Sequence, residues 1–243
     1  GSLVSGIDAS TGLTIIFAGL IGGILWNLLT WLFGIPSSSS HALFGGLIGA
    51  GLAALGTSGV NWSGVLQKVL IPAIAAPFIA GLVAACGTWL VYRITRNVLK
   101  SRREEGFRWG QIATASLVAL SHGTNDAQKT MGIIAVLLYS QGHLGDSFEI
   151  PFWVVLACQS AMALGTLMGG WRIVRTMGLR ITKLTPMQGF CAETGGAATL
   201  FIATYLGVPV STTHTITGAI VGVGAARRLS AVRWNVEIGR AHV

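Results

Sequence analysis

Ser121-His-Gly-Thr-Asn-Asp-Ala-Gln-Lys-Thr130 gathers hydroxyl, amide, carboxylate and ammonium groups inside an otherwise apolar stretch from Ile112 to Leu138. Asp126 and Lys129 lie three apart, so on a helix they share a face and can pair. Burying either charge alone in hydrocarbon costs about 2.5–3.5 kcal/mol on insertion scales. More hydroxyl and amide partners surround the pair than pairing needs, which sets a binding role beside a purely structural ion pair. Gly123 allows the helix to break here, freeing carbonyls for a cation. Glu193, in Gly189-Phe-Cys-Ala-Glu-Thr-Gly195, is the other isolated acid in an apolar stretch. It is suited to carrying a proton or binding a cation, the alternative being a Glu at the membrane surface.

A second kind of chemistry sits in two hydroxyl runs. Ser37–Ser40 follow Pro36, and Ser211–Thr213 follow Pro209 by one residue. Proline stops a helix, and Ser or Thr restarts one by capping free backbone N–H groups. The positive end of the restarted helix favours an anion, and the hydroxyls can hydrogen-bond its oxygens. Non-helical backbone at membrane depth survives only when buried in protein or lining a wet cavity, so each run is either such a site or a capped loop at the bilayer surface. His41 and His214 close the two runs, as packing or capping residues or as proton carriers.

The elements that position these groups are transmembrane. Of 243 residues, 52% are hydrophobic and only 10% charged, with mean hydropathy +0.68. A soluble domain carries about 25% charged residues, so the expected class is an all-α polytopic membrane protein. The net charge of +8 does not mark a nucleic-acid binder, because the basic residues cluster in short loops between apolar runs. Cys86, Cys158 and Cys191 show no metal or redox spacing and read as small buried hydrophobes. No metal site and no cofactor are expected.

Apolar runs near 11–33, 41–56, 65–92, 109–139, 151–171, 184–206 and 214–226 supply the spans. The segment 93–108 holds six Lys or Arg and is expected to be a cytoplasmic loop by the positive-inside rule. Arg172, Arg175, Arg180 and Lys183 mark a second cytoplasmic loop, and Arg227, Arg228 and Arg233 a third. Residues 140–150 carry no Lys or Arg and face outside. Trp26, Trp31, Trp62, Trp89, Trp109, Trp153, Trp171 and Trp234 fall mostly at span ends, as interfacial anchors.

Gly34-Ile-Pro-Ser-Ser-Ser-Ser-His41, with Gly45 and Gly49, matches Gly207-Val-Pro-Val-Ser-Thr-Thr-His214, with Gly218 and Gly222, at a constant offset of 173 residues. An odd number of crossings, three, separates the copies, so the repeat is inverted in the membrane. Inverted repeats with broken helices are the architecture of secondary transporters, with the site between the repeats. The resulting division is 1–92, a partial first inverted repeat with its hairpin tip at 34–41 and the span that follows. Next come the basic loop 93–108 and the second inverted repeat 109–237, with its Asn-Asp motif at 121–131 and its tip at 207–214. Residues 238–243 read as what the adapter string ATC GGA AGA GCA CAC GTC encodes, and are set aside as a non-native tail.

SSSSHALFGG, SHGTNDAQKTMG, TPMQGFCAET and GVPVSTTHTITGAIVGVG resemble the inorganic phosphate transporter (Pit/PHO4) family, its bacterial low-affinity branch in particular, over residues 11–235. The resemblance implies two inverted repeats, each with an Asn-Asp motif on a broken helix and a hydroxyl-tipped re-entrant hairpin. Phosphate would bind between them near mid-membrane, with protons or sodium as the coupling ion. Carried onto this chain, Thr124, Asn125 and Asp126 with Ser38, Ser39, Ser40, Ser211, Thr212 and Thr213 would bind phosphate. Asp126 and Glu193 would serve the coupling ion, and Gln128, Lys129, His41 and His214 would support them. The implied setting is multi-pass in a bacterial inner membrane, as a homodimer, with phosphate and the lipid bilayer as partners and no nucleic acid. The Asn-Asp element of the first repeat would lie 89 residues before His41, ahead of Gly1, so the chain reads as a fragment not expected to transport alone.

Other readings stay open. Sulfate or a metal–phosphate complex could replace phosphate as cargo, and a passive anion channel would need no coupling acid. An intramembrane hydrolase built on Ser40–His41 or Thr213–His214 is disfavoured, because adjacent helical residues point about 100° apart. The expected protein is not an enzyme.

Overall fold

The computed structural model describes residues 9–144, 148–175, 177 and 184–227, and these build helices joined by short turns. Arg180, Lys183, Arg228, Arg233, Trp234 and the 238–243 tail lie outside the described residues. In chain order the helices are α1 (Ala9–Phe33), α2 (Ser39–Leu55), α3 (Trp62–Val65), α4 (Ile71–Ile94), α5 (Lys100–Ser140), α6 (Phe152–Met168), α7 (Trp171–Arg175), α8 (Pro186–Tyr205) and α9 (Thr212–Arg227). A π-helical turn at Leu66–Leu70 joins α3 to α4, giving one continuous rod, Trp62–Ile94.

This is an all-α membrane protein. Thr11–Phe33 and Trp62–Ile94 are long and apolar enough to cross a bilayer on length and composition alone, and Ser39–Leu55 and Phe152–Met168 are shorter apolar helices. Large side chains such as Phe33, Ile74, Phe78, Leu82, Leu117 and Leu167 point outward, an apolar surface of the kind that lipid rather than water covers. Trp26, Trp31, Trp62, Trp89, Trp109, Trp153 and Trp171 are all exposed, as anchors at an interface would be.

The core is built from small residues, which allows helix backbones to approach closely. Ala80, Ala84, Cys191, Ala192, Ala219, Ile220 and Val223 pack α4, α8 and α9 together, and Ala127, Met131, Val154 and Cys158 pack α5 on α6. A Cβ placed on Gly218 would meet the backbone of Pro77, and one on Gly222 the backbone of Gly81, so α4 and α9 touch backbone to backbone. Between α1 and α2, a Cβ on Gly19 would lie 2.8 Å from the Leu47 Cα. Gly45 and Gly49, the counterparts of Gly218 and Gly222, have nothing within 4 Å of the added Cβ.

The duplicated hairpins fold through the same hydrogen bonds, residue for residue at the 173 offset. Gly34 and Gly207 both take positive φ, +67° and +65°, the helix-ending conformation that glycine adopts without a Cβ penalty. Ile35 N–H donates to Thr30 O and Val208 N–H to Ala203 O, each at 2.9 Å. His41 N–H donates to Ser38 Oγ and His214 N–H to Ser211 Oγ, each at 3.2 Å. Helix, glycine stop, proline and hydroxyl cap thus form one cassette used twice.

Three sequence expectations change. The basic segment 93–108 is not a loop throughout: the turn covers only Thr95–Leu99, and Lys100–Arg108 begin α5, with Lys100 and Glu104 3.9 Å apart at i,i+4 spacing. Gly123 does not break α5, which runs unbroken for 41 residues. Gly in a helix costs only about 1 kcal/mol relative to Ala, and packing against α6 and α8 outweighs it. The helix breaks are those at Pro36 and Pro209. Finally, Cys86 is exposed, while Cys158 and Cys191 are buried as expected.

Candidate anion and cation site

The tips of the two hairpins and the middle of α5 meet at one place. Asp126 is 17 residues from Trp109 and 14 from Ser140, about 26 Å and 21 Å at 1.5 Å per residue. The meeting point is therefore near the midpoint of the apolar part of α5.

Asp126 and Lys129 form an ion pair, Nζ to Oδ1 2.8 Å, with side chains only 10% and 11% exposed. Each partner also holds both tips. Asp126 Oδ2 accepts from Ser39 Oγ and from Thr212 Oγ1, each at 3.4 Å, and these two hydroxyls are repeat equivalents. Lys129 Nζ donates to Ser40 Oγ at 2.6 Å in the first tip and to the Val210 carbonyl at 2.9 Å in the second. His122, one turn before Asp126, places Nε2 3.1 Å from Oδ2.

The tips also touch each other. Thr213 Oγ1 donates to the Ser37 carbonyl at 3.3 Å, and the His41 and His214 rings stack with centroids 5.0 Å apart. Asn125 Nδ2 donates to Thr204 Oγ1 at 3.0 Å. Asn125 Oδ1 and His41 Nδ1 are buried without a hydrogen-bond partner among the described residues. A buried acceptor left unsatisfied costs about 1–3 kcal/mol, so such atoms mark a place built to meet something else. The N-termini of α2 and α9 converge here, bringing two sets of backbone N–H groups of the kind that hold anions.

The structure brings together Asn125, Asp126, Lys129, Ser39, Ser40, Thr212, Thr213, His41 and His214. Ser38 and Ser211 stand in the same tips but are occupied as helix caps. Thr124 does not join: its hydroxyl donates to the Leu120 carbonyl in its own helix. Gln128 is exposed, because two residues beyond Asp126 means about 200° around the helix. Glu193 is also elsewhere. It accepts from Thr114 Oγ1 at 2.6 Å and from Gln111 Nε2 at 3.4 Å, and Thr114 precedes Asp126 by twelve residues, about 18 Å along α5. Asp126, on α5, and Glu193, on α8, thus belong to two separate polar centres spaced along α5. Thr114→Val is expected to lower stability by about 1–3 kcal/mol, because the Glu193 carboxylate loses its short hydrogen bond; detergent-unfolding midpoints of the variant and wild type check it.

Sequence reasoning missed His122, Thr204, Thr114, Gln111 and the Val210 carbonyl. His122 was within reach, since i,i+4 spacing from Asp126 is visible in the sequence. Among the described residues no group of three or more His, Cys, Asp or Glu is placed to hold a metal ion.

Comparison with known proteins places the chain in a family. The sequence profile of the phosphate transporter family matches residues 2–239. A protein of Rhizobium meliloti (strain 1021) is 63% identical over 226 residues, covering 91% of this chain and 66% of that protein. One of Mycobacterium tuberculosis (strain H37Rv) is 53% identical over 232 residues, covering 95% and 56%, and one of Bacillus subtilis (strain 168) is 42% identical over 236 residues, covering 96% and 69%. All three bear the name "Probable low-affinity inorganic phosphate transporter". A solved structure titled "The sodium-dependent phosphate transporter" superposes with TM-score 0.76 at 27% identity, covering 97% of this chain and 76% of that one. The chain spans between about half and two thirds of the length of the first of these relatives. It belongs to the phosphate transporter family.

Proposed function

We propose that this chain carries the substrate site of a secondary active transporter that imports inorganic phosphate by symport with protons or sodium, through alternating access. The observation that carries the reading is the convergence of both hairpin tips on Asp126 and Lys129. Two helix N-termini and a set of hydroxyls supply donors for phosphate oxygens. Phosphate retains a proton at neutral pH and sulfate does not, so acceptors such as Asn125 Oδ1 favour phosphate. The ion pair offsets its own charge, which leaves the helix ends to attract the anion. The names of the relatives and of the solved structure support phosphate, and the latter is consistent with a cation-coupled cycle. The same proposal sets the protein in a bacterial inner membrane, as a homodimer.

The test is labelled phosphate uptake in cells lacking their own phosphate uptake, with the chain carried in place of the matching part of the longer Rhizobium meliloti relative. Uptake is expected to fall with excess arsenate and to persist with excess sulfate. Competition by sulfate would move the cargo to another oxyanion, and uptake that follows no cation gradient would make the protein a channel.

A further inference from the structure

Lys129 has three N–H donors, and three oxygens from three parts of the fold receive them. Asp126 Oδ1 on α5 lies at 2.8 Å, Ser40 Oγ in the first tip at 2.6 Å, and the Val210 carbonyl in the second tip at 2.9 Å. One carboxylate, one hydroxyl and one carbonyl from unwound backbone make the donor set that binds a sodium ion in transporters with broken helices. Here each of these oxygens faces an ammonium. The ammonium is a compact, strongly hydrated point charge; buried at 11% exposure, it replaces its water with these ligands.

The placement also has the topology of a bound cation. A cation at this point draws together the two tips and the helix that bears Asp126, and Lys129 makes those three bonds from its own side chain. A Lys on a helix face directed at lipid or at a wet surface would extend its head group away from the core, whereas this one reaches across two other elements. We infer that Lys129 fills the cation seat of this site with its own ammonium, so that no free sodium ion binds there. This rests on reading the site as that of a cation-coupled transporter, and it assigns energy coupling to an ion other than sodium at Asp126.

Equilibrium binding of radioactive sodium to the purified chain in detergent tests this without requiring transport. Wild type is expected to show no saturable sodium binding. Lys129→Ala opens the three oxygens and is expected to gain saturable binding, one ion per chain, that choline does not displace. The gain is expected to disappear in Lys129→Ala/Asp126→Asn, and Lys129→Arg, which keeps a charge in the seat, should remain without it. If Lys129→Ala folds only in sodium, with its unfolding midpoint raised by sodium and not by choline, the ion is filling the same seat. Saturable binding by wild type that survives in Asp126→Ala would place the sodium elsewhere and overturn the inference if Lys129→Ala gains nothing further. Saturable binding by wild type that Asp126→Ala removes overturns it directly. So does a Lys129→Ala chain that neither binds sodium nor gains stability from it. Absence of phosphate uptake alongside the expected sodium results would defeat the transport reading alone.

Discussion

In the uptake test of the proposed function, Asp126→Asn is expected to abolish phosphate uptake, and in the chain itself to lower stability by about 3–5 kcal/mol, the cost of leaving one charge of a buried pair without its partner. The Asn side chain fits the space, so the loss is electrostatic rather than steric. Lys129 would keep Ser40 and the Val210 carbonyl, neither of which carries a compensating charge. The hydroxyls of Ser39 and Thr212 would lose a carboxylate acceptor in the same step. Two measurements separate the consequences: unfolding midpoints in detergent report the buried charge, and uptake of labelled phosphate reports the cycle. Wild-type uptake in this variant would remove Asp126 from the mechanism. A variant of unchanged stability would show that Lys129 is solvated despite its burial.

Gly222→Ala and Gly218→Ala are expected to destabilise the chain by about 1–3 kcal/mol each, as overpacking of a tight interface does. An added Cβ at either position meets backbone atoms of α4 rather than the end of a flexible side chain, so the helices themselves must part. Gly45→Ala and Gly49→Ala, at the equivalent repeat positions, meet nothing within 4 Å. There helix propensity decides, and Ala is favoured by up to about 1 kcal/mol. The same substitution at matched positions therefore has opposite signs, and a single series of unfolding midpoints reads all four. Equal effects at 222 and 49 would contradict the packing described.

The helices at the apolar runs and both tips were legible because their signals are local. Runs of apolar residues, a proline, a glycine two residues before it and a hydroxyl cap all act within a few residues, and the 173-residue offset repeats them. The pairing of Asp126 with Lys129 was legible for the same reason, as helical spacing alone determines it. What was not legible depends on contacts between distant segments or on groups without a side-chain signature. Val210 contributes its carbonyl, which any residue type would carry. Thr204 meets Asn125 across 79 positions, and Thr114 and Gln111 meet Glu193 across 79 and 82. Glu193 was grouped with Asp126 because both are isolated acids, and chain composition does not show that Glu193, on α8, faces Thr114, twelve residues before Asp126 on α5. Gly123 misled for a different reason: glycine permits a break, and only the surrounding packing decides whether one occurs.

The two hydroxyls that reach Asp126 Oδ2 do so at equal length, 3.4 Å, and an O–H···O bond is best near 2.7–2.8 Å. Both hydroxyl contacts to this carboxylate oxygen are thus about 0.6 Å longer than that optimum, and His122 Nε2, at 3.1 Å, lies nearer than either. Because the two donors come from copies of one cassette, their equal reach follows from the duplication and needs no separate tuning. One carboxylate oxygen therefore senses the position of both tips at once, and a displacement of either changes the company it keeps.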